Sequence, residues 1–394
     1  MLILIFLNTR NLIMKMNSPQ NLTLAKMKNL KLCFLLLCPL ILAACGPAEK
    51  QQESVAEERA KYEPEDGKVI LFVGQELESI GGLDEWNDGY LDHFNTPAGF
   101  TMYTKLRPGD EEFGFTYTGL PGLTSTDDWG DSPSNMSLQL ADPDFNDMAL
   151  AIGFEMVNHE GAIARGERDS LVFAFGDWLK SLGNRPVFLR IGYEFSGTWN
   201  HYNREEYVAA YRYMKDKYDS MGVSNVAYVW QSHGWEEPME LLEAWYPGDD
   251  YVDWCGYSFF ARGDESNMID FARKKGKPVF IAEATPTIGT ETVKTNGQTK
   301  EIILSNQAQA EEAWEQWFTP FFNTIHENAD VVKAISYINC HWKSHKMWVN
   351  NPTFQYVDAR LQINDWIKER WNKEINSGRY LHASKELFEQ LGVQ

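Results

Sequence analysis

The stretch PVFLRIGYE, residues 186–194, reads as an apolar strand that ends abruptly in a glutamate. A helical pattern follows at residues 204–221, and a second apolar run follows at residues 226–230. A strand, a helix and another strand in this order form a βαβ unit, which places both strands in a parallel sheet.

The same alternation continues along the chain from residue 68. The apolar runs are residues 69–73, 100–104, 148–154, 187–193, 226–230, 252–260, 279–282 and 331–338. The helical patterns between them include residues 169–182, 204–221, 236–245, 266–275 and 307–328. Eight such runs in about 270 residues predict an α/β fold of the (β/α)8 TIM-barrel type. The alternative is an open, doubly wound sheet, but no GxGxxG motif follows the first strand.

Two long segments interrupt this plan, residues 107–147 and residues 285–300. Both read as loops above the barrel, where binding usually resides. The tail, residues 361–394, is predicted to be a helical extension that packs outside the barrel.

The N-terminus has the features of a signal peptide followed by a site of lipid attachment. A positive segment at residues 27–31 precedes an apolar stretch at residues 32–42, and small residues lead into Cys45. This pattern resembles the bacterial lipoprotein signal, and the alternative is an ordinary secretory signal that happens to contain a cysteine. It predicts a signal peptide at residues 1–44, with Met27 as an alternative start, and a lipid anchor on Cys45.

The predicted location is the bacterial cell envelope, and a glycine after Cys45 favours the outer membrane. Residues 45–67 are polar and charged and are predicted to be a flexible tether. Residues 68–394 then form one barrel domain.

Composition limits the partners. The chain has 394 residues and a formal net charge of −20. Residues 1–44 hold five basic residues and no acidic one, so residues 45–394 carry −25. Such an acidic chain is not expected to bind nucleic acid or an anionic membrane surface.

The cysteines and histidines suggest no metal centre. Cys255 and Cys340 lie in apolar runs and are predicted to be buried free thiols. The eight histidines show no spacing typical of metal ligands, so neither a metal nor a cofactor is expected.

Two glutamates are the candidate catalytic residues. The fourth apolar run ends in Glu194, and the seventh ends in Glu283. In a (β/α) barrel the carboxyl ends of the strands converge on one mouth. Retaining glycoside hydrolysis requires two carboxyl groups about 5–5.5 Å apart, so the pair predicts that reaction.

The stretch RIGYEFSGTW, residues 190–199, matches the pattern Arg-x-x-His-Glu-x-x-Gly-x-Trp except that Tyr193 replaces the histidine. Residues 246–256 and 277–283 carry further likenesses before the sixth strand and along the seventh. The chain thus resembles clan A glycoside hydrolases, most closely glycoside hydrolase family 26, which includes many β-mannanases. The resemblance implies that Glu194 is the acid/base and Glu283 the nucleophile, with a mannan-like polysaccharide as substrate and endo action favoured.

One further departure lies on the sixth strand. The family usually places there a tyrosine that orients the nucleophile, and Phe260 stands at that position here. The alternatives are therefore another β-glycan, namely β-1,3-xylan, β-glucan or a sulfated algal galactan, or a non-catalytic barrel that only binds glycans.

Aromatic and polar residues near the strand ends are the candidates for sugar contacts, because sugar faces stack on aromatic rings and sugar rims need hydrogen bonds. The predicted substrate-binding residues are Arg190, Tyr193, Trp199, Trp230, His233, Tyr257 and Trp342. For Arg190 a salt bridge in the barrel core is equally compatible with the sequence. The basic residues of segment 341–346 suggest either a solvated loop or a contact to an anionic sugar.

Overall fold

The computed structural model describes residues 59–393, except residues 113, 129, 236, 261–265, 288–293, 296, 297 and 300. The predicted signal peptide, Cys45 and most of the tether lie outside the described residues. Within the described part, no helix combines the length and apolar character needed to cross a membrane.

Eight parallel strands form a closed barrel. They are β1 (Val69–Gly74), β2 (Gly99–Lys105), β3 (Ala149–Glu155), β4 (Val187–Ile191), β5 (Val226–Ser232), β6 (Trp254–Phe259), β7 (Val279–Ala284) and β8 (Val332–Ile338). Each strand pairs with the next in sequence, and β8 pairs with β1, with Ala334 opposite Ile70. The predicted (β/α)8 barrel is confirmed, and each strand falls on one of the eight apolar runs.

Helices lie between the strands. They are α1 (Leu77–Ile80), α2 (Met136–Ala141), α3 (Glu160–Ala164), α4 (Asp169–Ser181), α5 (Arg204–Ser220), α6 (Met239–Trp245), α7 (Ser266–Lys275), α8 (Gln307–Ala313), α9 (Thr319–Glu327), α10 (Asp365–Ile375) and α11 (Leu387–Gln390). A π-helical segment, Trp314–Phe318, joins α8 to α9. The helix expected at residues 307–328 is therefore three consecutive helical segments.

Alternation along each strand divides the core into two layers. Rings from β1, β4 and β7 fill the barrel, with Phe72 lying 5.2 Å from Phe188 and 5.1 Å from Phe280 between ring centroids. The residues between them point outward to the helices and form the larger apolar cluster. A filled interior leaves only the ends of the barrel for binding.

The amino-terminal end of the barrel is covered by residues just before β1 and by the carboxyl-terminal segment. The ring of Tyr62 packs 5.8 Å from that of Phe188, and the indole of Trp254 donates to the Lys61 carbonyl at 2.8 Å. Leu387 of α11 joins the same cluster, and a short strand β9 (Tyr380–Leu381) pairs with β1. Residues 61 and 62, which fall in the segment predicted to be a tether, thus pack against the barrel, and the tail contributes to the same cluster.

The carboxyl-terminal end carries the long loops. Short strand pairs brace them: Glu111–Glu112 with Phe115–Thr116, Asp127–Asp128 with Pro133–Ser134, Lys294–Thr295 with Gln298–Thr299, and Ile302–Ile303 with Val357–Asp358. Among the described residues, 3-10 turns lie at Tyr90–Asp92, Pro143–Phe145, Trp342–Ser344, Lys346–Trp348 and Leu361–Ile363. The loop expected at residues 285–300 falls largely outside the described residues.

Candidate active site

Glu194 and Glu283 meet at the carboxyl-terminal mouth of the barrel. Ser258, on β6 between them, donates its hydroxyl to Glu194 Oε1 at 2.7 Å and lies 3.3 Å from Glu283 Oε2. The pairing of β6 with β7 shifts by one residue between Tyr257 and Ser258, so that Ser258 stands opposite Glu283. This bulge turns Glu283 into the barrel although its neighbour Ala282 also faces inward.

Glu283 is held by a cation and a phenol. Arg190 donates through a terminal guanidinium nitrogen to Glu283 Oε1 at 2.7 Å, and the Tyr103 hydroxyl donates to the same oxygen. The guanidinium also donates to the side-chain oxygen of Gln231 at 3.0 Å. Burial alone lowers the pKa of Arg190, but Tyr103 and Glu283 outweigh it and the net direction is upward. Arg190 is therefore a buried salt-bridge partner of Glu283, which is the alternative that the sequence left equally open for this residue.

Glu194 has only neutral donors. The indole N–H of Trp199 donates to Glu194 Oε2 at 3.0 Å, and Ser258 donates to the other oxygen. The backbone of Glu194 adopts a left-handed φ of 51°, and Asn200 fixes this turn by donating to the Glu194 carbonyl at 3.0 Å. Burial, followed by the nearby charge of Glu283, raises the pKa of Glu194 to about 8. At neutral pH Glu194 therefore holds a proton that it can donate.

Tyr103 is a site residue that the sequence analysis missed. It lies near the end of β2, far in the chain from both glutamates, and burial raises its pKa well above the ordinary value, so the hydroxyl remains a donor. Gly153 on β3 makes room for it, since a Cβ there would lie 2.4 Å from the Tyr103 ring and 3.0 Å from Arg190. The half-buried Tyr193 packs against it, with the ring centroids 5.1 Å apart.

The position at which the family usually carries a tyrosine on the sixth strand holds Phe260 here, and a hydroxyl that bonds Glu283 comes from β2 instead. Phe260 turns away, packing edge-to-face on Phe354 with the ring centroids 5.5 Å apart. The hydroxyl that it lacks is supplied by Tyr103. The signal in the sequence was the position of Tyr103 in the second apolar run, residues 100–104. Nothing in the local sequence connects Tyr103 with Glu283.

The rim carries two exposed indoles. Trp199 is 56% exposed although its N–H is bound to Glu194, and Trp235, in the loop after β5, is 41% exposed. His233 lies beside Trp199, with the two ring centroids 5.6 Å apart, and its Nδ1 lies 2.7 Å from a carboxylate oxygen of Glu237. The structure therefore brings Trp199 and His233 together beside Glu194, and Trp235 joins the candidate sugar platform.

Two residues predicted to contact sugar point toward the helices instead of into the mouth of the barrel. Trp230 is fully buried, and its ring stacks on Phe195 at 4.5 Å behind the barrel wall. Tyr257 is also fully buried in the outer apolar cluster. Side chains alternate along a strand, and at both positions the phase points toward the helices rather than into the mouth. Both predictions were wrong for this reason.

Trp342 is placed after β8 as expected, but its faces are covered. It is 1% exposed, its ring lies 4.4 Å from that of Phe354, and its N–H donates to Thr285 at 3.3 Å. In this structure it packs the loop and presents no open face to a sugar.

The basic residues around Trp342 do not form a free positive patch. Their charged partners are Asp358 for His341 at 3.5 Å, Glu301 for Lys343 at 3.7 Å and Asp131 for Lys346 at 2.7 Å. The basic residues of this segment are therefore paired with acidic residues of the same chain, and they no longer indicate an anionic substrate. Cys255 and Cys340 are buried free thiols, as predicted.

Comparison with known proteins places this site in a family. Residues 155–351 match glycosyl hydrolase family 26. A β-1,3-xylanase of Vibrio sp. is 31% identical, with 84% of this chain and 70% of that protein covered. A β-1,3-xylanase of Alcaligenes sp. is 30% identical, with 84% and 68% covered.

Solved structures agree on the fold. A family 26 β-mannanase from Bacteroides ovatus superposes with a TM-score of 0.51 at 15% identity, covering 82% of this chain and 93% of that one. The enzyme GH26C from Muricauda sp. gives a TM-score of 0.51 at 14% identity, covering 82% and 90%. The family match covers half of the chain and the two xylanases extend the likeness over most of it: the chain belongs to glycosyl hydrolase family 26 and is a glycoside hydrolase that acts on O-glycosyl bonds.

Proposed function

We propose that this protein is a retaining β-1,3-xylanase of the endo type, with Glu194 as acid/base and Glu283 as nucleophile. One observation carries the assignment of roles. A single hydroxyl, that of Ser258, contacts both carboxylates, whereas of these two carboxylates the guanidinium of Arg190 bonds that of Glu283. Glu283 thus has a cation as hydrogen-bond partner, whereas Glu194, whose pKa burial and the nearby Glu283 raise to about 8, is placed to hold a proton.

The spacing supports retention of configuration. Because Ser258 Oγ lies 2.7 Å from one carboxylate and 3.3 Å from the other, the two oxygens concerned are at most about 6 Å apart. Retaining enzymes hold their carboxyl groups about 5–5.5 Å apart, whereas inverting enzymes leave about 6.5–9.5 Å for a water molecule. The pair therefore suits direct attack by Glu283 on the sugar.

Two steps follow from the geometry. Glu194 donates its proton to the glycosidic oxygen while Glu283 attacks the anomeric carbon, which gives a glycosyl-enzyme ester and the free leaving sugar. Glu194, now ionised, takes a proton from water, and that water cleaves the ester and releases Glu283. The hydrogen bonds from Ser258 and Trp199 stabilise the ionised form of Glu194 in the interval between the steps.

The choice of β-1,3-xylan rests on the relatives. The sequence resemblance favoured a mannan-like substrate, but the two relatives of about 30% identity across most of the chain are both β-1,3-xylanases. The β-mannanase likeness, at 15% identity, concerns the fold alone. The exposed Trp199 and Trp235 on an open rim fit the internal stretch of a polymer, which supports endo action.

Substrate preference is tested on a panel. Initial rates of reducing-sugar release are measured on β-1,3-xylan, β-1,4-xylan, mannan, laminarin, agar and carrageenan, with chromatography of the products. We expect β-1,3-xylan to be cleaved fastest and to give a series of oligosaccharides. Faster hydrolysis of mannan would restore the mannanase hypothesis, and no hydrolysis of any polymer would favour a glycan-binding barrel.

The catalytic roles are tested by two variants. Glu283→Ala is expected to lower kcat on the order of 10⁴-fold or more, because the covalent route is lost. Glu194→Gln is expected to lose roughly 10²–10⁴-fold on polymer, but much less on an aryl glycoside whose leaving group needs no proton.

Added azide should restore turnover of Glu194→Gln on the aryl glycoside and give a β-glycosyl azide. The exposed Glu240 on α6 provides the control, and Glu240→Gln should match the wild type. An α-azide product, or full activity in both site variants, would contradict the assignment.

We also propose that the enzyme is lipid-anchored in the bacterial envelope through Cys45. The support is the signal-like sequence before Cys45. Labelled palmitate should be incorporated into the wild type and not into Cys45→Ala, and fractionation should recover the wild type with outer membranes. Equal labelling of both proteins would disprove the anchor.

A further inference from the structure

A second group of reactive side chains lies at the mouth, beside the closure of the barrel. Glu76 follows β1, while Cys340 and His345 follow β8, and these two strands are paired up to Gly74 and Ile338. One ligand atom from each side chain lies within 4.8 Å of the others. The three side chains are almost inaccessible, with exposed fractions of 1%, 0% and 2%.

The three atoms suit a zinc ion in type and spacing. Zinc accepts thiolate, imidazole and carboxylate ligands, at about 2.3 Å from sulfur and about 2.0–2.2 Å from nitrogen or oxygen, in tetrahedral geometry. Such geometry places a sulfur and a nitrogen ligand about 3.5 Å apart. Cys340 Sγ lies 3.7 Å from His345 Nδ1, close to that separation.

Local hydrogen bonding does not use up the ligands. Ser79 donates its backbone N–H to Glu76 Oε2 at 2.9 Å, and its hydroxyl donates to Oε1. Each carboxylate oxygen has two lone pairs, so one on each oxygen remains for a metal. The helix cap made by Glu76 orients the carboxylate toward Cys340 and His345 instead of competing with them.

A cavity of about 270 Å³ adjoins the group and is lined in part by Glu76, Glu78 and His341. It offers an entry path and room for a fourth ligand, either water or the carboxylate of Glu78. That carboxylate already lies 3.9 Å from His345 Nε2. A mixed set of sulfur, nitrogen and oxygen favours zinc over calcium or magnesium, which take oxygen alone.

We propose that Glu76, Cys340 and His345 form a structural zinc site that fastens the loop after β8 to the loop after β1. The sequence gives no sign of this site, because the ligands come from segments more than 250 residues apart and show no local spacing. Trp342 lies between Cys340 and His345, so the ion would hold the packed loop at the rim of the cleft. The site is separate from the proposed hydrolysis at Glu194 and Glu283.

Cobalt substitution tests the ligands directly. The purified protein is stripped with a chelator, dialysed and titrated with Co²⁺, and the near-ultraviolet thiolate-to-cobalt band is recorded. Zinc content after reconstitution is measured by mass spectrometry, and thermal unfolding is followed with and without Zn²⁺. We expect one tightly held zinc per folded chain, a thiolate band, and a rise in Tm with zinc.

The chain supplies a matched control, since Cys255 is also a buried free thiol but lies on β6. Cys340→Ser should lose the band and the zinc-dependent rise in Tm, whereas Cys255→Ser should keep both. His345→Gln should weaken zinc retention by at least 10-fold and serves as the second variant if Cys340→Ser fails to fold. Failure of the wild type to retain zinc, or a band that persists in Cys340→Ser or is lost in Cys255→Ser, would overturn the proposal. None of these readouts depends on hydrolysis, so failure of the proposed xylanase activity would be seen separately.

Discussion

The ends of β4 and β7 carry the same side chain in different surroundings. Glu283 faces a guanidinium at 2.7 Å and a buried phenol, whereas Glu194 faces a serine hydroxyl and an indole N–H. Both carboxylates are nearly buried, so burial alone does not separate them. The two surroundings differ in their positive neighbour, because Arg190, whose side chain lies in the barrel rather than at its surface, forms an ion pair with Glu283 at 2.7 Å. Roles in such a pair are therefore set by which neighbour brings the positive charge.

Among the neighbours of the two glutamates, loss of the positive charge of Arg190 should have the largest effect. Arg190→Met would leave Glu283 buried without its cation, and breaking a buried ion pair costs about 3–5 kcal/mol. We expect kcat/KM to fall roughly 10²–10³-fold, together with a lower Tm. Arg190→Lys should recover part of the loss. Steady-state kinetics and thermal unfolding measure both effects, and kinetics within twofold of the wild type would show that the charge of Glu283 does not depend on Arg190.

Removing the phenol should matter less. Tyr103→Phe deletes one hydrogen bond to the charged Glu283 Oε1, and such bonds contribute about 1.5–3 kcal/mol. We expect kcat to fall about 10–100-fold with little change in KM, because the bond positions the nucleophile and does not bind the sugar.

Tyr213 gives the matched control for this variant, since its hydroxyl also donates to a carboxylate, that of Asp169, away from the site. Tyr213→Phe should leave kcat unchanged. An equal loss in both variants would mean that the effect of Tyr103 is general to the fold.

The two halves of the barrel differ in how much the sequence predicts. Between the fourth and seventh strands, local patterns identify Glu194 and Glu283 because each ends an apolar run. Tyr103 stands 180 residues from Glu283 and its role depends on the barrel closing around it, which local sequence does not encode. The errors at Trp230 and Tyr257 have a related cause: a position near a strand end is readable from sequence, but the face of the strand depends on register.

Loss of the proton from Glu194 should determine the alkaline limb of the pH profile of kcat/KM. Because its pKa is raised to about 8, kcat/KM is expected to hold at neutral pH and to fall as the pH rises through about 8. The hydrogen bond from Trp199 favours the ionised form and lowers that pKa. Trp199→Phe keeps an aromatic face but removes the donor, so the limb should move upward by less than one pH unit.

The exposed Trp235 is the control for this shift, since its ring lies on the rim in the next loop. Trp235→Phe should leave the limb in place, whatever it does to KM. If the alkaline limb moved equally in both variants, or moved downward in Trp199→Phe, it would not report the ionisation of Glu194.

The smallest effect concerns stability rather than rate. Glu194 binds its proton more tightly in the folded chain, where its pKa is about 8, than in the unfolded chain, where the ordinary value is 4.5. The unfolded chain therefore releases this proton at a lower pH than the folded chain does. As a result, the free energy of unfolding falls progressively as the pH rises from about 4.5 to about 8, and Glu194 has no such effect below about 4.5. Glu194→Gln keeps the shape and removes this cost, so at pH 8 we expect a gain on the order of 1 kcal/mol, or about 2–4 °C in Tm. At pH 4 the gain should vanish, because Glu194 is then protonated in both states. Calorimetric scans of the wild type, Glu194→Gln and Glu240→Gln at both pH values measure the difference, and a gain of equal size at pH 4 would show that packing, not the buried charge, is responsible.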